Sequence, residues 1–130
     1  MSATVVDSSA WVDFLRGEEK AVTRVDRLLA EGLAAVTGPI TAEVLSGARS
    51  SAQYGRLKEL FDGLSWVPDP VLLWSRVAEY RFALARDGFQ ASLIDLTVAV
   101  SALAGGHRVL TRDRGFERIC KVVPIELDLF

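Results

Sequence analysis

Apolar positions along this chain fall into two alternating patterns: short β-branched or aliphatic runs, and longer stretches where apolar residues return every third or fourth position. "ATVVD" predicts a strand that stops at an acid. "SSAWVDFLRG" follows with Trp11, Phe14 and Leu15 at helical spacing until Gly17. A second helix is predicted over 18–31, with Val22, Val25, Leu28 and Leu29 on one face and Gly32 at its end. "LAAV" predicts a short strand, and "TGPITAEVLSGAR" a helix that takes Pro39 into its first turn and carries Glu43 inside it. "SAQYGRLKELFDGL" predicts a further helix, and "SWVP" an edge strand closed by Pro68 and Pro70.

From 71 to Asp87 the pattern is helical but apolar around much of the circumference, through Val71, Leu72, Trp74, Val77, Ala78, Phe82 and Leu84. Such a helix needs cover on more than one side, from the rest of the chain or from a second copy of it. "SLIDLTVAVSALAGG" is apolar nearly all round, as expected of a central helix packed on a sheet. "RVL", "DRGFERIC" and "KVVPIEL" then predict a strand, a short helix and a last strand. Strands alternating with helices in this way predict an α/β fold with a mostly parallel central sheet and helices on both faces. No repeat or linker interrupts the pattern, so residues 1–130 are expected to form one domain.

Composition narrows the chemistry. With 130 residues, 50% of them hydrophobic, the chain is large enough for one full core. Its longest apolar stretch is too short to cross a bilayer and contains Asp95, and the start has no basic segment leading into an apolar one. A cytoplasmic protein without membrane contact is therefore expected. Cys120 is the only cysteine and His107 the only histidine, so a thiolate cluster is excluded and any bound metal must use oxygen ligands. Hard cations such as Mg²⁺ or Mn²⁺ suit that donor set. The net charge of −2 gives no overall field for nucleic acid, but Arg108, Arg112, Arg114, Arg118 and Lys121 gather near the C-terminus. They read either as phosphate contacts to a single strand, with Arg112 and Arg114 nearest the acids, or as a solvated helix face partnered by Glu117.

The acids carry the sharper signal. In an open parallel sheet, ligands bind beyond the carboxyl ends of the strands. Asp7 ends the first predicted strand, and Asp113 lies just past "RVL". Glu43 and Asp95 fall in the first turns of their helices, so all four converge if those helices start at the same rim. Each has a plainer alternative. Asp7 and Asp113 read equally as helix N-caps, and Asp95 as the last member of a capping-box-like "SLID" with Ser92. Crowded carboxylates are unstable without cations, and a divalent ion would make them ligands. Carboxylate-held Mg²⁺ or Mn²⁺ suits phosphodiester hydrolysis, with paired ions roughly 3.5–4 Å apart. Ser8, Ser9 and Thr111 read as hydrogen-bond donors to the carboxylates or as strand-end caps.

"VVDSSAWVDFLRG", "TAEVLSGAR" and "SLIDLTVAVSALAGGHRVLTRDRGFERI" together resemble the PIN-domain ribonucleases, and more closely the VapC-type toxins of bacterial toxin–antitoxin pairs. The resemblance spans essentially the whole chain. It implies a PIN-like three-layer α/β/α domain and assigns Asp7, Glu43, Asp95 and Asp113 as catalytic metal ligands, with Ser9 and Thr111 as supporting hydroxyls. It further implies a Mg²⁺- or Mn²⁺-dependent endoribonuclease that cuts RNA, forms a homodimer and is silenced by a cognate antitoxin. Many relatives read "TRDRDF", with a further acid where Gly115 stands here, so the second metal site is expected to be the weaker one. The competing expectations are a catalytically inactive PIN-like module that binds RNA or a protein, and a phosphotransfer domain with Asp7 as nucleophile.

Overall fold

The computed structural model describes residues 3–130, so the first two residues of the expected domain lie outside the described residues. The chain runs β1 (Thr4–Val6), α1 (Ser8–Leu15), α2 (Glu19–Glu31), β2 (Ala34–Val36), α3 (Gly38–Ser46) and α4 (Ser51–Asp62). It continues through β3 (Ser65–Trp66), α5 (Leu73–Arg86), α6 (Leu93–Gly105), β4 (Arg108–Thr111), α7 (Gly115–Ile119) and β5 (Leu127–Leu129). The strands form one sheet in the order β3-β2-β1-β4-β5, and every pairing is parallel. The expected α/β fold is present, with a sheet that is wholly rather than mostly parallel.

β1 and β2 are buried at every position, as central strands covered on both faces must be. Gly32 and Gly106 close α2 and α6 in the left-handed conformation, which lets the chain reverse directly into the next strand. α6 is the most buried helix, from Leu96 through Ala102, matching its all-round apolar sequence. It packs on α5, on β4 and on α3.

Two elements differ from the sequence pattern. "KVVPIEL" was expected as the last strand, but the ladder is made by Leu127–Leu129. Val123 and Ile125 are buried, so the apolar pattern is true burial, yet Pro124 has no N–H for a ladder and Ile125 N–H turns back to the Val123 carbonyl at 2.8 Å. Pairing resumes where Val109 N–H meets the Glu126 carbonyl at 2.9 Å. The second difference is α5. It buries Leu73, Val77 and Leu84, while Trp74 and Phe82 stay 64% and 65% exposed, so its second apolar side is uncovered within one chain.

This topology decides where the rim lies. α1 and α3 follow β1 and β2 directly, so their N-termini start at the carboxyl ends of the strands. α6 feeds the amino end of β4, which puts its own N-terminus at that same rim. His107, between α6 and β4, falls at the opposite end of the sheet.

Candidate metal and catalytic site

Pairing of Val6 with Leu110 brings the residues that follow, Asp7 and Thr111, side by side at the rim. Asp7 is buried and occupies the position that begins α1, but its carboxylate does not cap that helix. Instead Oδ2 accepts the Ser9 hydroxyl at 2.9 Å and the Thr111 hydroxyl at 2.8 Å. Each hydroxyl owns one proton, so with both given to Asp7 their 3.1 Å approach to one another is a contact rather than a further donation. The capping alternative for Asp7 therefore falls, and both hydroxyls orient one oxygen while Oδ1 takes no hydrogen bond from the described residues.

Asp113 is exposed, and its Oδ1 accepts the Gly115 N–H at 2.8 Å, so it does act as a local turn former. Its own N–H donates to Thr111 Oγ1 at 3.0 Å, which ties it to the Asp7 cluster. Glu43 is exposed in the second turn of α3, and Ser8 donates to its Oε1 at 2.7 Å. Since Ser8 follows Asp7, that bond anchors Glu43 beside the same strand end. At α6 the cap is Ser92, whose hydroxyl accepts the Asp95 N–H at 3.0 Å.

The Asp95 carboxyl is half-buried and its pKa is pushed up to about 6. Burial is the largest cause, followed by the negative charges of Asp7 and Asp113, with Glu43 adding a smaller push and a hydrogen bond with Ser92 opposing it. Asp95 thus lies in the field of the other three acids. Among the described residues, no three of them stand ready to close on an ion. The donor set nevertheless fits a hard divalent cation. It is all oxygen, it is over-charged without a counter-ion, and its exposed members, Glu43 and Asp113, are held by single side-chain hydrogen bonds at the same rim as Asp7.

Arg112 and Arg114 flank Asp113. Arg112 Nε forms an ion pair with Asp13 Oδ2 at 2.6 Å, and Arg114 pairs with Glu117 at 3.1 Å on the surface. Asp13 is the member that sequence reasoning passed over, because "WVDF" reads as an ordinary helix. The available signal was an acid four residues after Ser9, hence on the same helix face. Trp11 is wholly buried against Phe14 and Phe61, so it belongs to the core and cannot stack on a base. Beside Glu43, a groove of about 400 Å³ runs between α1, α3 and α4, with Val12, Leu15 and Leu57 on its walls and Arg16 and Arg49 at its edge.

Comparison with known proteins places the chain in a family and supports its fold. The family model for the PIN domain matches residues 4–122. A VapC ribonuclease of Mycobacterium bovis, Mb1587, is 31% identical over 97% of this chain and 98% of its own. Among solved structures, VapBC2 from Rickettsia felis bound to a promoter DNA fragment superposes with a TM-score of 0.77, at 17% identity and 98% coverage of both chains. DNA-bound VapBC from Salmonella typhimurium gives 0.75, at 21% identity, over 98% of this chain and 97% of that one. These two share the fold.

Proposed function

The chain belongs to the PIN-domain family, among the VapC ribonucleases, and on that premise we propose that it is a Mg²⁺- or Mn²⁺-dependent endoribonuclease toxin. The observation that carries this reading is the buried Asp7 carboxylate at the end of β1, which leaves its helix uncapped and is oriented by Ser9 and Thr111, beside an Asp95 whose pKa burial and the charges of Asp7, Asp113 and Glu43 push up. A cluster that repels itself persists in a fold when a cation completes it. Asp7, Glu43, Asp95 and Asp113 would hold the metal, which when bound activates water and neutralises charge on the scissile phosphate. Ser9 and Thr111 keep the Asp7 carboxylate in one orientation, and Ser8 restrains Glu43. Arg112 and Arg114 lie beside Asp113 and would meet the RNA phosphates.

The whole chain, 1–130, would act as one nuclease domain in the cytoplasm. No helix among the described residues is long and apolar enough to cross a membrane. A cognate antitoxin would silence it by laying an apolar segment in the groove beside Glu43, where Val12 and Leu15 are exposed. The uncovered side of α5 would join two copies as a homodimer. Leu72, just before that helix, is the one non-glycine described residue with positive φ, at 60°, and it is 70% exposed, so strain and an open apolar surface coincide there.

The deciding experiment is cleavage of single-stranded RNA with Mg²⁺ or Mn²⁺, compared with EDTA and with Asp95→Asn. Cleavage should need the metal and the carboxylate. Binding without cleavage would return the chain to the inactive-module reading.

A further inference from the structure

Asp7 and Asp13 are the buried carboxylates among the described residues, and the function proposed above uses only the first. The Asp13 side chain is 10% exposed, while that of its partner Arg112 is 53% exposed. A carboxylate so far removed from water is destabilising unless a cation matches it, and Arg112 is the cation placed against it.

Ser9 and Asp13 stand four positions apart on α1, one above the other on a single face. Ser9 Oγ accepts the backbone N–H of Arg112 at 3.1 Å, and Asp13 holds the guanidinium at 2.6 Å. One helix face therefore grips one loop residue at two points. On one side of that residue is Thr111, whose hydroxyl orients Asp7; on the other is Asp113. Asp113 is exposed, so packing does little to hold it and these polar contacts set its place.

We propose that Asp13 is a positioning residue for the acidic site: by holding Arg112 it fixes the 111–113 loop, and with it the Asp113 carboxylate relative to Asp7. This rests on reading the four acids as the metal site. Asp13→Asn is the gentle probe, because it keeps the side-chain volume and leaves behind an exposed arginine rather than a buried unpaired acid.

The full chain is compared as wild type, Asp13→Asn and the neutral pair Asp13→Asn/Arg112→Gln. Three readouts are taken: amide hydrogen exchange at Arg112 and Asp113 without metal, Mn²⁺ affinity by electron paramagnetic resonance, and kcat and KM on single-stranded RNA. Asp13→Asn should speed exchange at both amides and weaken Mn²⁺ binding about tenfold, as loss of an outer support of a metal site does. It should lower kcat in parallel with little change in KM, because the charge of Arg112 remains. The neutral pair should show the same loosened loop and the same loss of Mn²⁺ affinity, since Asp13 acts through Arg112. Should the single variant not fold, the neutral pair provides the same test, because it leaves no unmatched charge.

Unchanged exchange and Mn²⁺ affinity in a folded variant would overturn the proposal, as would a loss confined to KM. A wild-type protein that neither binds Mn²⁺ nor cleaves RNA would sink the nuclease reading instead. Amide exchange would still show whether Asp13 orders the loop.

Discussion

Thr111 donates its hydroxyl proton to Oδ2 of Asp7 at 2.8 Å across 104 residues of chain. The two meet because β1 and β4 are parallel neighbours in a register that pairs Val6 with Leu110. Replacing Thr111 by valine keeps the shape but removes both the donor to Asp7 and the acceptor of the Asp113 N–H, leaving the buried carboxylate with Ser9 alone. Stability should fall by about 1–2 kcal/mol, the usual worth of two such bonds. Mn²⁺ affinity should fall about tenfold or more, because orientation of a ligand is lost as well. Urea unfolding without metal and a Mn²⁺ titration separate the two effects; an unchanged affinity would show that Ser9 suffices to orient Asp7.

The raised Asp95 carboxyl makes stability depend on pH in a fixed direction. Its pKa rises from 3.8 to about 6 on folding, so the folded state holds this proton more tightly than the unfolded one. The resulting stability is fully present below about pH 4 and is lost as pH rises through about 6. Because the group is only half-buried, solvent screening trims its size. Asp95→Asn should remove that pH dependence and make the metal-free protein more stable than wild type at pH 7, while abolishing cleavage. Unfolding curves in EDTA at pH 4 and pH 7 check this, and parallel curves for the two proteins would count against it. In the proposed metal site protons would compete with the ion for this carboxylate, so cleavage should also fall below about pH 6.

Gly115 bears on the stoichiometry of the proposed metal site. A Cβ built there would stand 3.1 Å from Asp113 Oδ1, the oxygen that the Gly115 N–H now holds. Gly115→Asp therefore adds a carboxylate and also pushes on the Asp113 side chain. The wild type should bind one Mn²⁺ ion tightly and a second only with RNA present. The variant should bind the second ion without RNA. Calorimetric titration with and without a non-cleavable RNA analogue gives both counts, and two tight sites in the RNA-free wild type would refute the one-ion resting state.

The exposed side of α5 should govern assembly. Trp74→Ser together with Phe82→Ser removes two aromatic rings that are 64% and 65% exposed, so the monomer loses little packing. Light scattering should find the wild type as a dimer and the double variant as a monomer. A variant that remains dimeric would move the interface elsewhere.

Much of this protein follows from residues that are neighbours in sequence. Strand and helix identity came from the alternation of β-branched runs with helical spacing, because those rhythms are set by backbone geometry within a few residues. The positions of Asp7, Glu43, Asp95 and Asp113 at strand ends and first helical turns were legible for the same reason, and parallel topology then sent them to one rim. Ser92 as the cap of α6 was legible too, since capping spans three residues.

Other features waited for the tertiary structure. Whether Asp7 caps a helix or faces the site depends on Thr111, brought beside it only by strand register. The grip of Asp13 on Arg112 joins residues far apart in the chain, and neither stands out in its local context. Placement of the last strand after Pro124 depended on which N–H groups could reach β4. Sequence by itself determined the elements and the kinds of donor at the rim, because propensity and periodicity are local. Only the fold decided which side chains hold one another, because register and packing between distant segments set that choice.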